Sequence, residues 1–94
     1  MIKESQTKEE PSFSALILEL LSHPYDSLTT EDVGNIFWLT DQHASNILRE
    51  MWKKGWLSRK VEYAKPRRRH FRYHMTEKGY NLFLWLSERG VFEE

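Results

Sequence analysis

Apolar residues recur with a helical period through the first half of the chain. In "PSFSALILELLSH", Phe13, Leu16, Ile17, Leu20 and Leu21 fall at i, i+3, i+4, i+7 and i+8, which gathers them on one helix face. Ser12 can cap the start, and His23-Pro24 ends the helix because the residue before proline avoids helical backbone. "PYDSL" reads as a short turn. In "TTEDVGNIFWLT", Thr30 is the expected N-cap, with Glu31 and Asp32 in the first turn where they suit the helix dipole. Val33, Ile36 and Phe37 share one face of this second helix. A third begins at Thr40 or Asp41 in "TDQHASNILREMWKKG", with Gly55 placed for a left-handed C-terminal cap. Its apolar stripe is Ala44, Ile47, Leu48 and Met51. Gln42, His43, Ser45, Asn46, Arg49 and Lys53 fall on the other side.

After Gly55 the period changes to two. Leu57, Val61 and Tyr63 alternate with Ser58, Lys60 and Glu62, and Arg59 interrupts the apolar series. Phe71, Tyr73 and Met75 alternate with His70, Arg72 and His74. Two half-buried strands joined through "AKPRRR" form a β-hairpin. Thr76 then caps "EKGYNLFLWLSERG", in which Tyr80, Leu82, Phe83, Leu84, Trp85 and Leu86 cover most of the circumference. A helix this apolar is buried on more than one side. One side can pack on its own domain and the other on a second copy, with Leu82, Trp85 and Leu86 as the expected dimer contacts.

The expected fold is therefore mainly α with a small β-hairpin, in the order helix, helix, helix, hairpin, helix. One domain spans 12–90, after a flexible polar lead-in at 1–11 and before a tail at 91–94. A chain of 94 residues buries only a thin core, so a partner that covers leftover apolar surface is expected.

Charge changes the picture more than composition does. Lys+Arg and Asp+Glu each number 14, so the chain is formally neutral. Residues 1–48 hold two Lys against eight Asp and Glu, residues 49–72 hold ten Lys and Arg against two Glu, and residues 73–94 return to a balance of −2. A basic middle between acidic ends points to one anion-binding face. The absence of cysteine excludes disulfides and thiolate chemistry and fits a reducing cytoplasm. His70 and His74 share a strand face, but without a third ligand they make a poor metal site. No phosphate loop, carboxylate pair or nucleophile motif is visible. Neither an enzyme nor a bound cofactor or metal is expected, and no apolar run is long enough for a membrane span.

"ASNILREMWKKGWLSRK" and "FRYHMTEKG" resemble the recognition helix, first wing strand and wing-to-last-helix junction of winged helix-turn-helix regulators of the MarR, ArsR and PadR type. The resemblance covers roughly Phe13 to Gly90. It implies that residues 41–54 form a recognition helix in the major groove of double-stranded DNA. It also implies that 57–76 form the wing, with strands at 57–63 and 70–76 and a tip at Lys65 to Arg69. The last helix, 77–89, would join a homodimer. The chain departs from the larger families in having no long N-terminal dimerisation helix and no separate effector domain.

The chemistry of the residues suits the same ligand. Lys53, Lys54, Lys60, Lys65, Arg67, Arg68, Arg69 and Arg72 are the expected phosphate and wing contacts, since phosphate neutralisation dominates affinity for DNA. Gln42 and Asn46 can pair with adenine edges and Arg49 can bridge guanine O6 and N7, while His43 and Ser45 can reach base or phosphate. The reading is a cytoplasmic, DNA-binding transcriptional regulator, associated with the nucleoid in a prokaryote. A winged-helix adapter for an acidic partner is the alternative, because fold does not fix function. A regulatory protein partner is compatible with either.

Overall fold

Helices and strands follow in the order α1 (Phe13–Ser22), β1 (Leu28–Thr29), α2 (Thr30–Phe37), α3 (Asp41–Lys53), β2 (Leu57–Lys65), β3 (Arg68–Met75) and α4 (Glu77–Glu88). The computed structural model describes residues 12–65 and 68–92. The lead-in at 1–11 lies outside the described residues, as do Arg67 and the side chains of Lys65, Arg68 and Arg69.

Short-range caps set the helix starts. Ser12, Thr40 and Thr76 each accept a hydrogen bond from the backbone N–H three residues on, which satisfies one of the donors a helix start leaves free. The start of α2 corrects the expectation by one residue. Thr29, not Thr30, is the N-cap, and it forms a reciprocal capping box. The Asp32 N–H donates to Thr29 Oγ1 at 3.1 Å, and the Thr29 N–H donates to Asp32 Oδ2 at 3.0 Å. Gly55, at φ 85°, closes α3. The Trp56 N–H reaches the Met51 carbonyl and the Gly55 N–H reaches that of Trp52, the paired bonds that terminate a helix through a left-handed residue.

The sheet holds one strand more than the periodicity predicts. The segment read as a turn contributes β1, whose Leu28 and Thr29 pair with Tyr73 and Arg72. The antiparallel order is β1-β3-β2, which makes β3 the central strand. Two residues are too few for an alternating pattern to register. In the hairpin Leu57, Arg59 and Val61 stand opposite Met75, Tyr73 and Phe71, while Ser58, Lys60 and Glu62 stand opposite His74, Arg72 and His70.

One core joins these elements: Ile17, Leu18 and Leu21 of α1, Leu28 of β1, Val33 of α2, Ala44, Leu48 and Met51 of α3, and Leu57 and Tyr73 of the hairpin. Each fully buried Leu, Ile or Val contributes about 1.5–3 kcal/mol, and these few stripes orient α3 with its polar side outward. From α4, Leu82, Phe83 and Leu86 are half-buried against the same core. Val61 and Tyr63, expected half-buried, are exposed. They lie on the part of the hairpin that runs beyond the core, so no element among the described residues covers them.

Candidate nucleic-acid interface

With Ala44, Leu48 and Met51 buried beneath it, α3 leaves Gln42, Asn46, Arg49 and Lys53 exposed. Gln42 Nε2 donates to Asn46 Oδ1 at 3.3 Å, one turn apart, so the two amides stand side by side as a preset pair. His43 is exposed but turns toward α1, its ring edge-on to Phe13 with centroids 6.1 Å apart. Ser45 is half-buried on the opposite flank. Lys53 lies 4.0 Å from Glu50 on the solvent side, a loose pair of little energetic weight. Lys54 caps the helix end with its ammonium 4.9 Å from the Trp56 ring centroid.

The hairpin divides its cations into committed and open ones. Arg72 was expected as a free backbone contact, but it is already engaged. Its Nε donates to Glu62 Oε2 at 2.7 Å and its Nη1 to Ser27 Oγ at 3.1 Å. His70 Nε2 lies 3.1 Å from the other oxygen of Glu62. The Arg72 guanidinium first, and His70 second, hold the Glu62 carboxyl below its ordinary value of 4.5. The sequence reading gave Glu62 no role, although it is the one carboxylate of the hairpin and faces His70 across the strands. Lys60 remains exposed.

Arg59 was also passed over, and the break it makes in the apolar series was the available signal. Its guanidinium carbon lies 3.6 Å from the Trp52 ring centroid and 4.0 Å from that of Phe71. Trp52 is thereby the aromatic wall that joins α3 to the hairpin. Trp38 is different: it stands 92% exposed at φ 62° in the turn between α2 and α3.

Between the starts of α2 and α3 lies an open recess of about 520 Å³, lined by Thr29, Thr30, Glu31, Asn35, Asp41, Gln42, Ser45 and His70. Two carboxylates among its walls disfavour phosphate there, while its amides and hydroxyls can both donate and accept. Among the described residues no group of three His, Asp or Glu is placed to hold a metal ion, and no helix is long and apolar enough to cross a membrane.

On α4, Leu82 and Leu86 turn inward against the protomer's own core, and Trp85 stands outward at 52% exposure. Its apolar companions on the outer side are Tyr80 and Leu84, so this helix carries a second apolar surface that no described residue covers.

Solved structures to which this chain is similar include transcriptional regulators. The MepR–DNA complex of Staphylococcus aureus matches with a TM-score of 0.69 and 23% identity, over 88% of this chain and 66% of that one. The transcriptional regulator BldR of Sulfolobus solfataricus matches at 0.66 and 18%, over 81% and 52%. Bacillus subtilis PadR in complex with operator DNA matches at 0.66 and 18%, over 78% and 46%. The chain thus spans about half to two thirds of the length of these regulators. No curated protein matches it in sequence. The order of elements, the exposed polar side of α3 and the hairpin agree with a match in sequence over residues 13–79: the chain belongs to the winged helix DNA-binding domain family.

Proposed function

We propose that the chain is a sequence-specific, double-stranded-DNA-binding regulator of transcription, with residues 41–54 in the major groove and the hairpin along the backbone and minor groove. The observation that carries this reading is the polar side of α3. Gln42, Asn46 and Arg49 are exposed together on one rigid helix, and they are the residue types that read adenine and guanine edges. Lys53 and Lys60, with Lys65, Arg67, Arg68 and Arg69, supply phosphate contacts around them. The outer side of α4 joins two copies, so the dimer takes a pseudo-palindrome with half-sites about one helical turn, ~34–36 Å, apart. The protein acts in the cytoplasm, in association with the nucleoid if its source is a prokaryote, and is a binding module with no catalytic role.

Fluorescence anisotropy on mixed-sequence duplex and single-stranded DNA across a salt series tests this. Duplex binding that weakens steeply with salt supports the reading. Absence of duplex binding at low salt overturns it and leaves the adapter reading, for which the exposed Trp38 supplies the aromatic anchor that protein interfaces favour.

A further inference from the structure

We propose that Arg59 is a preset anchor for a phosphodiester oxygen, seated in the notch between α3 and the hairpin. The proposal rests on the DNA reading above and adds to it a residue that charge counting alone does not single out. Three observations converge on it. Arg59 is the one charged residue in the series Leu57, Arg59, Val61 and Tyr63, and it stands opposite the buried Tyr73. Its guanidinium carbon lies over two rings, Trp52 of α3 and Phe71 of β3, at 3.6 and 4.0 Å from the ring centroids. Among the described residues no carboxylate or other acceptor binds its N–H groups, and no buried side-chain nitrogen is left without a partner. The edges of the guanidinium therefore open to water.

A guanidinium packed against two rings loses little further freedom when its fork meets an oxyanion. Contacts with the rings do not use the N–H groups, the ones that match a phosphate oxygen pair. Arg72, on the opposite face of the hairpin, shows the contrast, because its donors are already spent on Glu62 and Ser27. Position points the same way. Trp52 lies on the helix that enters the groove and Phe71 on the central wing strand, so a backbone running from one to the other passes the notch that Arg59 occupies.

The test is a salt titration of duplex binding by the wild type, Arg59→Met, Arg59→Lys and Trp52→Leu. Arg59→Met keeps an apolar stem between the rings and loses the charge. It is expected to bind about 10- to 100-fold more weakly and to lower the salt slope by about 0.9, the value for one phosphate contact. Arg59→Lys and Trp52→Leu are expected to keep the slope while losing affinity, because they keep the charge and lose the preset fork. In the wild type the Arg59 Nε–H resonance, identified by its loss in Arg59→Lys, is expected to shift on titration with duplex. An unchanged slope in Arg59→Met, or an Nε–H signal indifferent to bound duplex, overturns the proposal and leaves the DNA reading standing. A wild type that fails to bind duplex at low salt overturns both.

Discussion

Arg72 donates its Nε–H to Glu62 Oε2 at 2.7 Å, across the strand pair that forms the wing. The contact holds the Glu62 carboxyl below its ordinary value of 4.5, with His70 adding to the effect. A carboxylate whose folded value is depressed adds stability that is complete above the unfolded value and is lost as pH falls through the folded one. Arg72 stays charged throughout. Urea denaturation of wild type and Glu62→Gln should therefore differ by a constant amount above about pH 5 and converge on acidification below 4.5. A difference that stays constant down to pH 3 would mean that the pair does not hold in solution.

Gly79 is placed where a side chain has no room. A Cβ there would collide with the Trp56 carbonyl oxygen and stand 3.1 Å from Met75 Cγ. The approach is fixed by Thr76, whose hydroxyl donates to the Gly55 carbonyl at 2.6 Å and accepts from the Gly79 N–H at 3.0 Å. Alanine is ordinarily better than glycine inside a helix by about 1 kcal/mol, but overpacking costs about 1–3 kcal/mol. Gly79→Ala should thus lower the urea midpoint. A raised midpoint would show that α4 is free to shift away from the end of α3.

Trp38 is held at φ 62° with its side chain 92% exposed. Left-handed backbone costs a residue with a Cβ about 1–2 kcal/mol, and little burial is lost on truncation. Glycine fits that backbone but loses more chain entropy on folding, by about 0.5–1 kcal/mol. Trp38→Gly should therefore stabilise the protein by about 0.5–1 kcal/mol, read from chemical denaturation. Destabilisation would mean that the indole is covered in solution.

These contrasts indicate what a linear reading can reach. Ser12, Thr40, Thr76 and Gly55 were legible because a cap acts within a few residues of itself. Thr29 and Thr30 can both cap, and the choice of Thr29 is set by its reciprocal bonds with Asp32 together with its strand pairing to Arg72. The polar side of α3 was visible as a periodicity. The sorting of hairpin cations was not, because the partners of Arg59 and Arg72 come from other strands and helices. Leu82 and Leu86 pack against the core while Trp85 stands outward, a division the sequence does not show because an apolar circumference does not say which arc the core takes.

The outer arc of α4 carries Tyr80, Leu84 and Trp85, all exposed in the single chain. A surface of this kind is the expected seat of the second copy. Trp85→Glu removes the largest apolar group and places a charge in the proposed interface from each copy, so it should shift a dimer to monomers in sedimentation velocity. Leu84→Glu should do the same. Because neither side chain belongs to the buried core, thermal unfolding of the monomer should remain cooperative. Dimers that persist in both variants would move the interface to another face.

Arg49 and Lys60 should separate base reading from phosphate attraction. Both are exposed, but Arg49 stands in line with Gln42 and Asn46 on the rigid helix, whereas Lys60 lies on the outer face of the hairpin. An arginine fork that bridges a guanine discriminates by about 1–3 kcal/mol against the wrong base, and a lysine on a phosphate carries no such information. Lys60→Ala should weaken binding to all duplexes alike and lower the salt slope by about 0.9. Arg49→Ala should instead flatten the preference at one base pair of each half-site while weakening binding to random duplex far less. Binding measured on a selected site and on its single-base variants checks both, and equal profiles for the two variants would place the base-reading surface elsewhere than α3.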